Sequence, residues 1–170
     1  MNAYGLSSVS RPLPHGKCPM AESGPGKLQV LILCTGNSAR SQIAEGLIRH
    51  EAGDRFDVFS AGTHPTQVLR EAVDVMRELG IDISAQWSKS AKEFEGRQFD
   101  FVITVCDRAH EECPVFSGAP ERLYWPFEDP AAFAEAGAEL LNAFRKLRDR
   151  IHARVMVFLS EGAYGSRDAV

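Results

Sequence analysis

The sequence has no hydrophobic run of the eighteen or so residues that a membrane-spanning helix needs, and its first residues lack the apolar core of a secretory signal. It also carries little net charge, −4 at pH 7 with a pI near 5.7, which argues against broad binding to nucleic acid. We therefore expect a cytoplasmic protein with neither a membrane nor a nucleic-acid partner. A single positive site can still coexist with an acidic surface, so any bound anion should be small.

Cysteine is scarce, and its four occurrences are scattered: Cys18, Cys34, Cys106 and Cys113. No C-x2-C pair is present, which disfavours a structural zinc site. A chain of 170 residues, 44% hydrophobic and 25% charged, can bury a sizeable core and does not need a secreted disulfide framework. We therefore interpret the cysteines as reduced or redox-active thiols and predict no metal and no cofactor.

Composition divides the chain into one domain and two flanking segments. Residues 1–26 are rich in Ser, Pro and Gly with little periodicity, which predicts a flexible leader, and Cys18 within it is assigned no role. Residues 27–160 carry the periodic segments, and residues 161–170 form a C-terminal tail. No internal repeat is visible, so we expect a single folded domain and a monomer.

The most informative stretch is residues 28–41, LQVLILCTGNSARS. A continuous apolar run of strand length ends at Cys34, and a segment of helical periodicity begins near Arg40. The residues between them are small or polar: Thr35, Gly36, Asn37, Ser38 and Ala39. A loop of this kind can wrap backbone N–H groups around an anion at the positive end of a helix.

Cys34 at the floor of this loop is predicted to be a nucleophile. The loop N–H groups and the Arg40 guanidinium should favour its thiolate, and Arg40 can grip two oxygens of a tetrahedral anion. Ser41 can donate to Cys34 and Asn37 can fix the loop by hydrogen bonds, although both residue types also serve as helix caps or turn residues. The alternative is a buried cysteine followed by an unrelated arginine, since C-x5-R also arises by chance.

Strand-like and helical segments alternate along the rest of the chain. The further strands are predicted at Phe56–Ser60, Phe99–Val105 and Arg122–Trp125. Helices are predicted from the loop to Gly53, from Val68 to Leu79 and from Leu140 to Phe158, with a short one from Ala91. The basic residues of the last helix are interpreted as a solvated face: Arg145, Lys146, Arg148, Arg150 and Arg154. This alternation predicts an α/β fold, a four-stranded parallel sheet with helices on both faces.

Ligands of such sheets bind beyond the carboxyl ends of the strands. Cys34 and Cys106 each follow a strand, and the turn containing Asp129 follows the fourth, so we expect the three to converge. Residues 107–120 predict a long surface loop with one helical turn. Three histidines lie away from the motif cysteines in sequence and match no ligand pattern, so they are treated as structural or surface residues: His50, His64 and His110.

Five motifs occur together in this chain. They are Cys34–Glu45 (CTGNSARSQIAE), Ser60–Thr63 (SAGT), Val105–Asp107 (VCD), Cys113–Pro114 and Trp125–Pro130 (WPFEDP). In them the chain resembles the thioredoxin-coupled arsenate reductases, from about Leu28 to the final helix. The resemblance implies a low-molecular-weight phosphatase-like fold of flavodoxin-like topology, and reduction of arsenate to arsenite.

The resemblance also implies roles for the site residues. Cys34 would attack arsenic while residues 35–41 hold arsenate, for which phosphate or sulfate would be mimics. Asp129 would be the general acid, unless it is only a turn residue. Cys106 would then attack Cys34 and release arsenite. Cys113 would next attack Cys106 and leave a disulfide between these two residues. Thioredoxin would reduce that disulfide, although glutaredoxin with glutathione stays open as the reductant. Because a disulfide needs Cα atoms within about 7 Å, the segment carrying the last two cysteines must bend or unfold.

The chain departs from the family pattern at two places. Ala39 stands where some members carry an additional loop cysteine, which is not the resolving thiol. Some members also bind potassium near the loop; Glu45 and Ser60 match that set, but Lys89 stands at its aspartate position. An ammonium group there would take the place of the cation, so we predict no potassium requirement.

Two alternative functions stay open at this point. A low-molecular-weight phosphotyrosine phosphatase would use the same Cys34 to Arg40 loop. Such an enzyme has no use for Cys106 and Cys113, and it usually carries a Tyr where this chain has Ala131. A non-catalytic oxyanion or redox sensor would need no acid in the later turn.

Overall fold

A computed structural model of the chain describes residues 26–116, 121–132 and 136–161. The predicted leader and tail therefore lie outside the described residues apart from Gly26 and Glu161, and so does Cys18. The strands are β1 (Leu28–Cys34), β2 (Phe56–Gly62), β3 (Phe101–Thr104) and β4 (Glu121–Tyr124). The α-helices are α1 (Arg40–Ala52), α2 (Arg70–Arg77), α3 (Asp107–Glu111) and α4 (Gly137–Ser160), with 3₁₀ turns at Ala91–Phe94 and Pro130–Ala132.

The four strands form one parallel sheet in the order β2-β1-β3-β4. β1 lies inside the sheet, as its apolar run requires, because a strand covered on both faces has no polar side to present. Its register pairs Leu33 with Thr104 of β3 and Cys34 with Gly62 of β2. β1 and β3 are the two inner strands, so the segments that follow their carboxyl ends start side by side.

Both faces of the sheet are covered, which confirms the predicted α/β architecture. On one face the ring of Phe158 from α4 packs 5.4 to 5.8 Å, between ring centroids, from three aromatic rings: Phe56, Phe101 and Trp125. A second aromatic cluster is formed by Phe59, Phe94, Phe99 and Phe116. Phe94 belongs to the 3₁₀ turn and Phe116 follows α3, so these short elements cover the side of the sheet that α4 does not.

The boundaries of several elements differ from the prediction. β2 continues past Ser60 to Gly62, and β3 is confined to Phe101–Thr104. α2 begins only at Arg70, because Leu69 before it is extended with ψ 138°. The helix stops before Leu79, since Gly80 follows in a left-handed conformation with φ 75°.

The prediction that the basic residues of α4 form a solvated face is wrong at Arg148. This side chain is buried at 8% exposure, and its Nη1 donates to Val75 O at 2.8 Å. The same guanidinium lies 2.9 Å from Glu78 Oε2. Val75 belongs to the last turn of α2, where the C-cap N–H donates to Asp74 O and Met76 O and not to Val75 O. Arg148 therefore joins α4 to the end of α2 and does not face solvent.

Candidate active site

The loop between β1 and α1, residues 35–39, connects the sheet directly to a helix N-terminus. α1 begins at Arg40, its N-cap Ala39 makes no side-chain cap hydrogen bond, and no acidic residue occupies its first turn. The first N–H groups of an α-helix have no partner within the helix, and they carry its partial positive charge. This end of α1 is therefore suited to hold an anion.

Cys34 lies at the floor of the loop and is buried. Its Sγ accepts a hydrogen bond from Asn37 N at 3.0 Å and lies 2.9 Å from Ser41 Oγ. Burial raises the pKa of the Cys34 thiol, while hydrogen bonds from Ser41 and the charge of Arg40 lower that pKa. The polar contacts act in the expected direction, but burial has the larger effect and the pKa of Cys34 is raised, so the expectation that the loop favours the thiolate is not met.

Asn37 holds the loop together through its side-chain amide. It adopts φ 47°, a left-handed conformation that Asn tolerates better than most residues. Its Nδ2 donates to Ser41 Oγ at 2.9 Å and to Ser60 Oγ at 2.8 Å, and its Oδ1 accepts from Lys89 N at 2.8 Å. Because Ser41 Oγ accepts from Asn37, its own hydroxyl hydrogen is free to point at Cys34 Sγ.

Gly62, named above only as part of the motif Ser60–Thr63, is a residue of the site to which the sequence assigned no role. A Cβ at this position would lie 2.6 Å from Thr35 O and 3.0 Å from Asn37 N, which leaves no room for a side chain. The end of β2 therefore supports the loop from below by close backbone approach. A glycine at the end of a strand is a signal for this kind of contact.

The structure brings Arg40 and Asp129 together at the mouth of the loop. Arg40 Nη1 donates to Phe127 O at 3.1 Å, and Nη2 lies 3.1 Å from Asp129 Oδ2. The Arg40 side chain is 14% exposed and the Asp129 side chain is 53% exposed. The turn that follows β4 therefore places a solvent-accessible carboxylate beside the arginine.

Cys106 follows β3 and is buried next to the same loop. Its Sγ lies 3.4 Å from Thr35 Oγ1. Leu33 precedes Cys34 and Val105 precedes Cys106. Val105 N donates to Leu33 O at 2.9 Å, and this backbone hydrogen bond holds the two cysteines beside each other. Two thiols from neighbouring strands thus reach one loop.

Cys113 lies beyond α3, the single helical turn predicted in this segment. Its thiol is half-buried; burial raises its pKa, and the charge of Arg122 lowers it. Cys34, Cys106 and Cys113 are all free thiols in the part of the chain that the structure describes. α3 therefore separates the second cysteine from the third.

Lys89 is buried beside the loop, and its ammonium group has three neighbours. Nζ donates to Trp87 O at 2.9 Å, lies 3.6 Å from Glu45 Oε2 and sits 4.7 Å from the centroid of the Trp87 ring. Burial lowers the pKa of Lys89, and the nearby Glu45 opposes that shift. Ser60 also donates to the Glu45 carboxylate, so this ion pair continues into the hydrogen bonds of Asn37.

Within residues 26–116, 121–132 and 136–161, no three His, Cys, Asp or Glu side chains are grouped so as to hold a metal ion. No helix in those ranges is long and apolar enough to cross a membrane. His64 and His110 were predicted to be structural or surface residues. His64 contacts Glu112 at the end of α3, and His110, a residue of α3, contacts Thr104 and Tyr124.

Cys34 thus lies below the N-terminus of α1, and Arg40 and Asp129 lie at the mouth of the same loop. Residues 29–161 match the family model described as low molecular weight phosphotyrosine protein phosphatase, and the chain belongs to that family. Among its members the chain is similar to proteins named arsenate reductase, which confirms the predicted resemblance. That of Halalkalibacterium halodurans is 40% identical over 136 residues, which cover 80% of this chain and 98% of the relative. The arsenate reductase of Bacillus subtilis is 38% identical over 133 residues, covering 78% and 96%.

Solved structures show the same likeness. An arsenate reductase in an oxidised state matches with a TM-score of 0.67 and 29% identity, over 78% of this chain and 97% of that one. A thioredoxin-dependent arsenate reductase of Corynebacterium glutamicum matches with a TM-score of 0.64 and 27% identity, over 82% of this chain and 63% of that one. A tyrosine phosphatase of Erwinia amylovora, at 15% identity and a TM-score of 0.65 over 79% of this chain and 93% of that one, shares the fold.

Proposed function

We propose that this protein is an arsenate reductase in which Cys34, Cys106 and Cys113 pass electrons from thioredoxin to arsenate. The observation that carries the proposal is the 3.4 Å separation between Thr35 Oγ1 and Cys106 Sγ, which puts a second thiol against the loop that holds the first. A phosphatase that hydrolyses its cysteine adduct has no use for that thiol. The relatives named arsenate reductase support the substrate, and the thioredoxin-dependent relative supports the reductant.

The first step forms a bond between sulfur and arsenic. Arsenate binds to the N–H groups of residues 35–41 and to the Arg40 guanidinium, which can hold two of its oxygens. Deprotonated Cys34 attacks arsenic, and one oxygen departs. Asp129 donates the proton with which this oxygen leaves as water. The 3.1 Å contact between Asp129 Oδ2 and Arg40 Nη2 supports this role, since it places the carboxyl group at the mouth of the loop.

The second step reduces arsenic. Cys106 Sγ attacks Cys34 Sγ, so that a disulfide forms while the bond between sulfur and arsenic breaks. The electron pair of the broken bond stays on arsenic, which leaves as arsenite. Two thiols have then lost the two electrons that arsenic gained.

The third step moves the disulfide away from the loop. Cys113 Sγ attacks Cys106 Sγ and frees Cys34 for another cycle. A disulfide needs the Cα atoms of Cys106 and Cys113 within about 7 Å of each other, and five of the six residues between the two cysteines form α3. α3 must therefore unwind before this step. The product is a disulfide between Cys106 and Cys113 that thioredoxin reduces.

Arsenate-dependent oxidation of NADPH in the presence of thioredoxin and thioredoxin reductase tests the proposal. We expect Cys34→Ser and Cys106→Ser to abolish turnover. Cys113→Ser should stop after one cycle with a disulfide between Cys34 and Cys106, which mass spectrometry of the alkylated protein detects. The matched control is Cys18→Ser, which should turn over normally. Sustained turnover by Cys113→Ser would contradict the three-thiol relay. The same assay with glutaredoxin and glutathione in place of thioredoxin shows which of the two reductants supports turnover.

The alternative is a phosphatase, which the name of the matched family favours. Both activities begin with attack by Cys34 on a bound tetrahedral anion, so Cys34→Ser should abolish either one. Hydrolysis of p-nitrophenyl phosphate by Cys106→Ser separates the two. Residual hydrolysis that survives this substitution, together with loss of arsenate reduction, is the outcome we expect. Robust hydrolysis with no arsenate reduction by the unsubstituted protein would replace the proposed function by the alternative.

We also propose that the Lys89 ammonium group stands in place of a bound potassium ion. Its support is the 3.6 Å distance from Nζ to Glu45 Oε2 and the 2.9 Å hydrogen bond to Trp87 O. A positive charge is therefore already present beside Glu45. We expect arsenate reduction to proceed equally fast in potassium and sodium salts at equal ionic strength, and marked activation by potassium would contradict the assignment.

A further inference from the structure

Polar and aromatic contacts of Asp107 and His110 tie α3 to the sheet. The hydroxyl group of Tyr124 donates to Asp107 Oδ1, directly after Cys106. The ring of Tyr124 stacks on His110, with centroids 4.3 Å apart, and His110 Nδ1 lies 3.0 Å from Thr104 Oγ1. Tyr124 is the last residue of β4 and Thr104 the last of β3, so α3 is held against the ends of two strands.

A second set of contacts holds the other end of α3. Glu112 Oε1 accepts from Arg108 Nε at 3.0 Å, and Glu112 Oε2 lies 3.4 Å from His64 Nδ1. His64 is itself attached to the active-site loop, because its backbone N–H donates to Thr35 O at 2.9 Å. Hydrogen bonds from Arg108 and Thr63 and the charge of His64 hold the pKa of Glu112 below its usual range. Glu112 is thus a carboxylate at neutral pH, one residue before Cys113.

We call these two sets of contacts the α3 clamp. Its first set joins Tyr124 to Asp107 and His110, and its second joins Glu112 to His64. Asp107 and Glu112 are the residues immediately inside the two cysteines. Bringing the Cα atoms of Cys106 and Cys113 within about 7 Å changes the backbone on which both carboxylates stand. The clamp is therefore present in the dithiol form of the segment, in which α3 is helical, and not in the disulfide form.

A contact present in only one of two interconverting forms stabilises that form alone. For a thiol–disulfide couple, stabilising the dithiol shifts the equilibrium away from the disulfide and makes the disulfide a stronger oxidant. We propose that the α3 clamp does this for the couple of Cys106 and Cys113, so that thioredoxin reduces its disulfide more readily. The inference rests on the proposed relay and adds to it the element that sets the reduction potential of the last disulfide.

The test measures the thiol–disulfide equilibrium of the full chain against dithiothreitol buffers. In a Cys18→Ser, Cys34→Ser background the only thiols are Cys106 and Cys113. As their disulfide forms, the two thiols lose two electrons and two protons, which oxidised dithiothreitol accepts as its own disulfide breaks. Alkylation of the remaining thiols followed by mass spectrometry gives the oxidised fraction at each buffer ratio.

Two substitutions weaken the clamp at its two ends. Tyr124→Phe keeps the ring that stacks on His110 and removes only the hydroxyl group, and Glu112→Gln removes only a charge. We expect each to raise the equilibrium constant for disulfide formation by about two- to fivefold, because exposed polar contacts are individually weak. The double variant should raise it by about tenfold, which corresponds to a reduction potential lower by about 30 mV.

The matched control is Glu111→Gln, which removes a neighbouring negative charge from the same helical turn but none of the hydrogen bonds, ion pairs or ring contacts that define the clamp. Its equilibrium constant should not change; a change as large as that of Glu112→Gln would overturn the proposal, because charge alone would then explain the effect. Melting temperatures supply a second readout. Loss of the clamp should lower that of the dithiol form and leave that of the disulfide form unchanged, whereas general destabilisation lowers both.

The remaining outcomes separate the clamp from the relay. If the disulfide forms but its equilibrium constant is the same in all variants, the clamp is overturned and the proposed function stands. If no disulfide between Cys106 and Cys113 forms at any buffer ratio, the three-thiol relay fails, and the clamp fails with it.

Discussion

Burial and polar contacts act in opposite directions on the Cys34 thiol. Ser41→Ala removes a hydroxyl group that lowers the pKa of Cys34, so the pKa should rise further and less thiolate should be present at neutral pH. The rate of alkylation by iodoacetamide against pH, in a variant whose other cysteines are serine, measures this directly. We expect its midpoint to move to higher pH.

The control at the same scale is Ser38→Ala, which removes another loop hydroxyl that is not among the contacts of Cys34. Its alkylation midpoint should stay where it is in the parent protein. A midpoint that moves to lower pH in Ser41→Ala would contradict the direction assigned to this hydrogen bond.

Sequence predicts the site residues that lie within one motif better than those that meet through the fold. The roles of Asn37 and Ser41 as loop hydrogen-bonding residues were predictable because both lie within a few positions of Cys34. A glycine at the end of a strand signals a close backbone approach, but that Gly62 approaches Thr35 was not predictable, because it depends on the register of β2 against β1. The larger effect of burial on the Cys34 thiol also needed the structure, since residue type alone does not give the depth of a side chain.

At the scale of elements, the end of β2 is expected to control the shape of the loop. Gly62→Ala would place a Cβ 2.6 Å from Thr35 O, and the loop has to move away from it. Because small displacements of a catalytic group are costly, we expect kcat/KM for arsenate to fall by more than about tenfold. The control is Gly46→Ala, whose Cβ would meet Ile83 Cγ2 at 2.6 Å, away from the loop.

The control should lose stability and keep its activity per folded molecule, which circular dichroism and active-site titration together establish. If Gly62→Ala retained full kcat/KM, the close contact between β2 and the loop would have no part in catalysis.

The contact between α4 and α2 gives a stability prediction. Arg148→Met removes the donor that satisfies Val75 O at 2.8 Å and leaves that buried carbonyl without this partner. We expect the free energy of unfolding in urea to fall by about 1–3 kcal/mol. Lys146→Met, an exposed position on the same helix, should change it by less than about 0.5 kcal/mol. Equal effects of the two substitutions would show that the buried hydrogen bond contributes little.

The elements themselves were largely predictable, and the errors have physical causes. β1 is predicted in full because a strand buried on both faces is apolar throughout. The prediction of a solvated basic face on α4 is wrong at Arg148, because the sequence does not show which side of α4 is covered by α2. The start of α2 was placed too early because Val68 and Leu69 fit the helical period while Leu69 is extended.

For the whole molecule, anion binding at one loop should stabilise the entire domain. A ligand that binds only the folded state at one hundred times its Kd adds about 2.7 kcal/mol of stability, which is roughly 5–10 °C in Tm for a domain of this size. We expect phosphate and arsenate to produce this shift in the unsubstituted protein. Arg40→Ala should remove most of it, since the guanidinium is the positively charged side chain at the mouth of the loop.

Arg77→Ala, which removes an exposed arginine from α2, is the matched control and should keep the shift. Chloride at equal ionic strength separates specific binding from salt effects. A shift of equal size in Arg40→Ala would place the anion elsewhere on the molecule.

The position of Phe158 near the end of α4 has a consequence for synthesis of the protein. Its ring contacts Phe56, Phe101 and Trp125, so one side of the sheet lacks its central aromatic contact until the final helix has been made. A nascent chain that has already produced its catalytic loop must therefore wait for translation of α4 before the core closes around it. A ribosome-stalled or prematurely terminated product ending before Phe158 would lack the ring that these three contact, and its incompletely covered sheet would make it a substrate for chaperones or proteases.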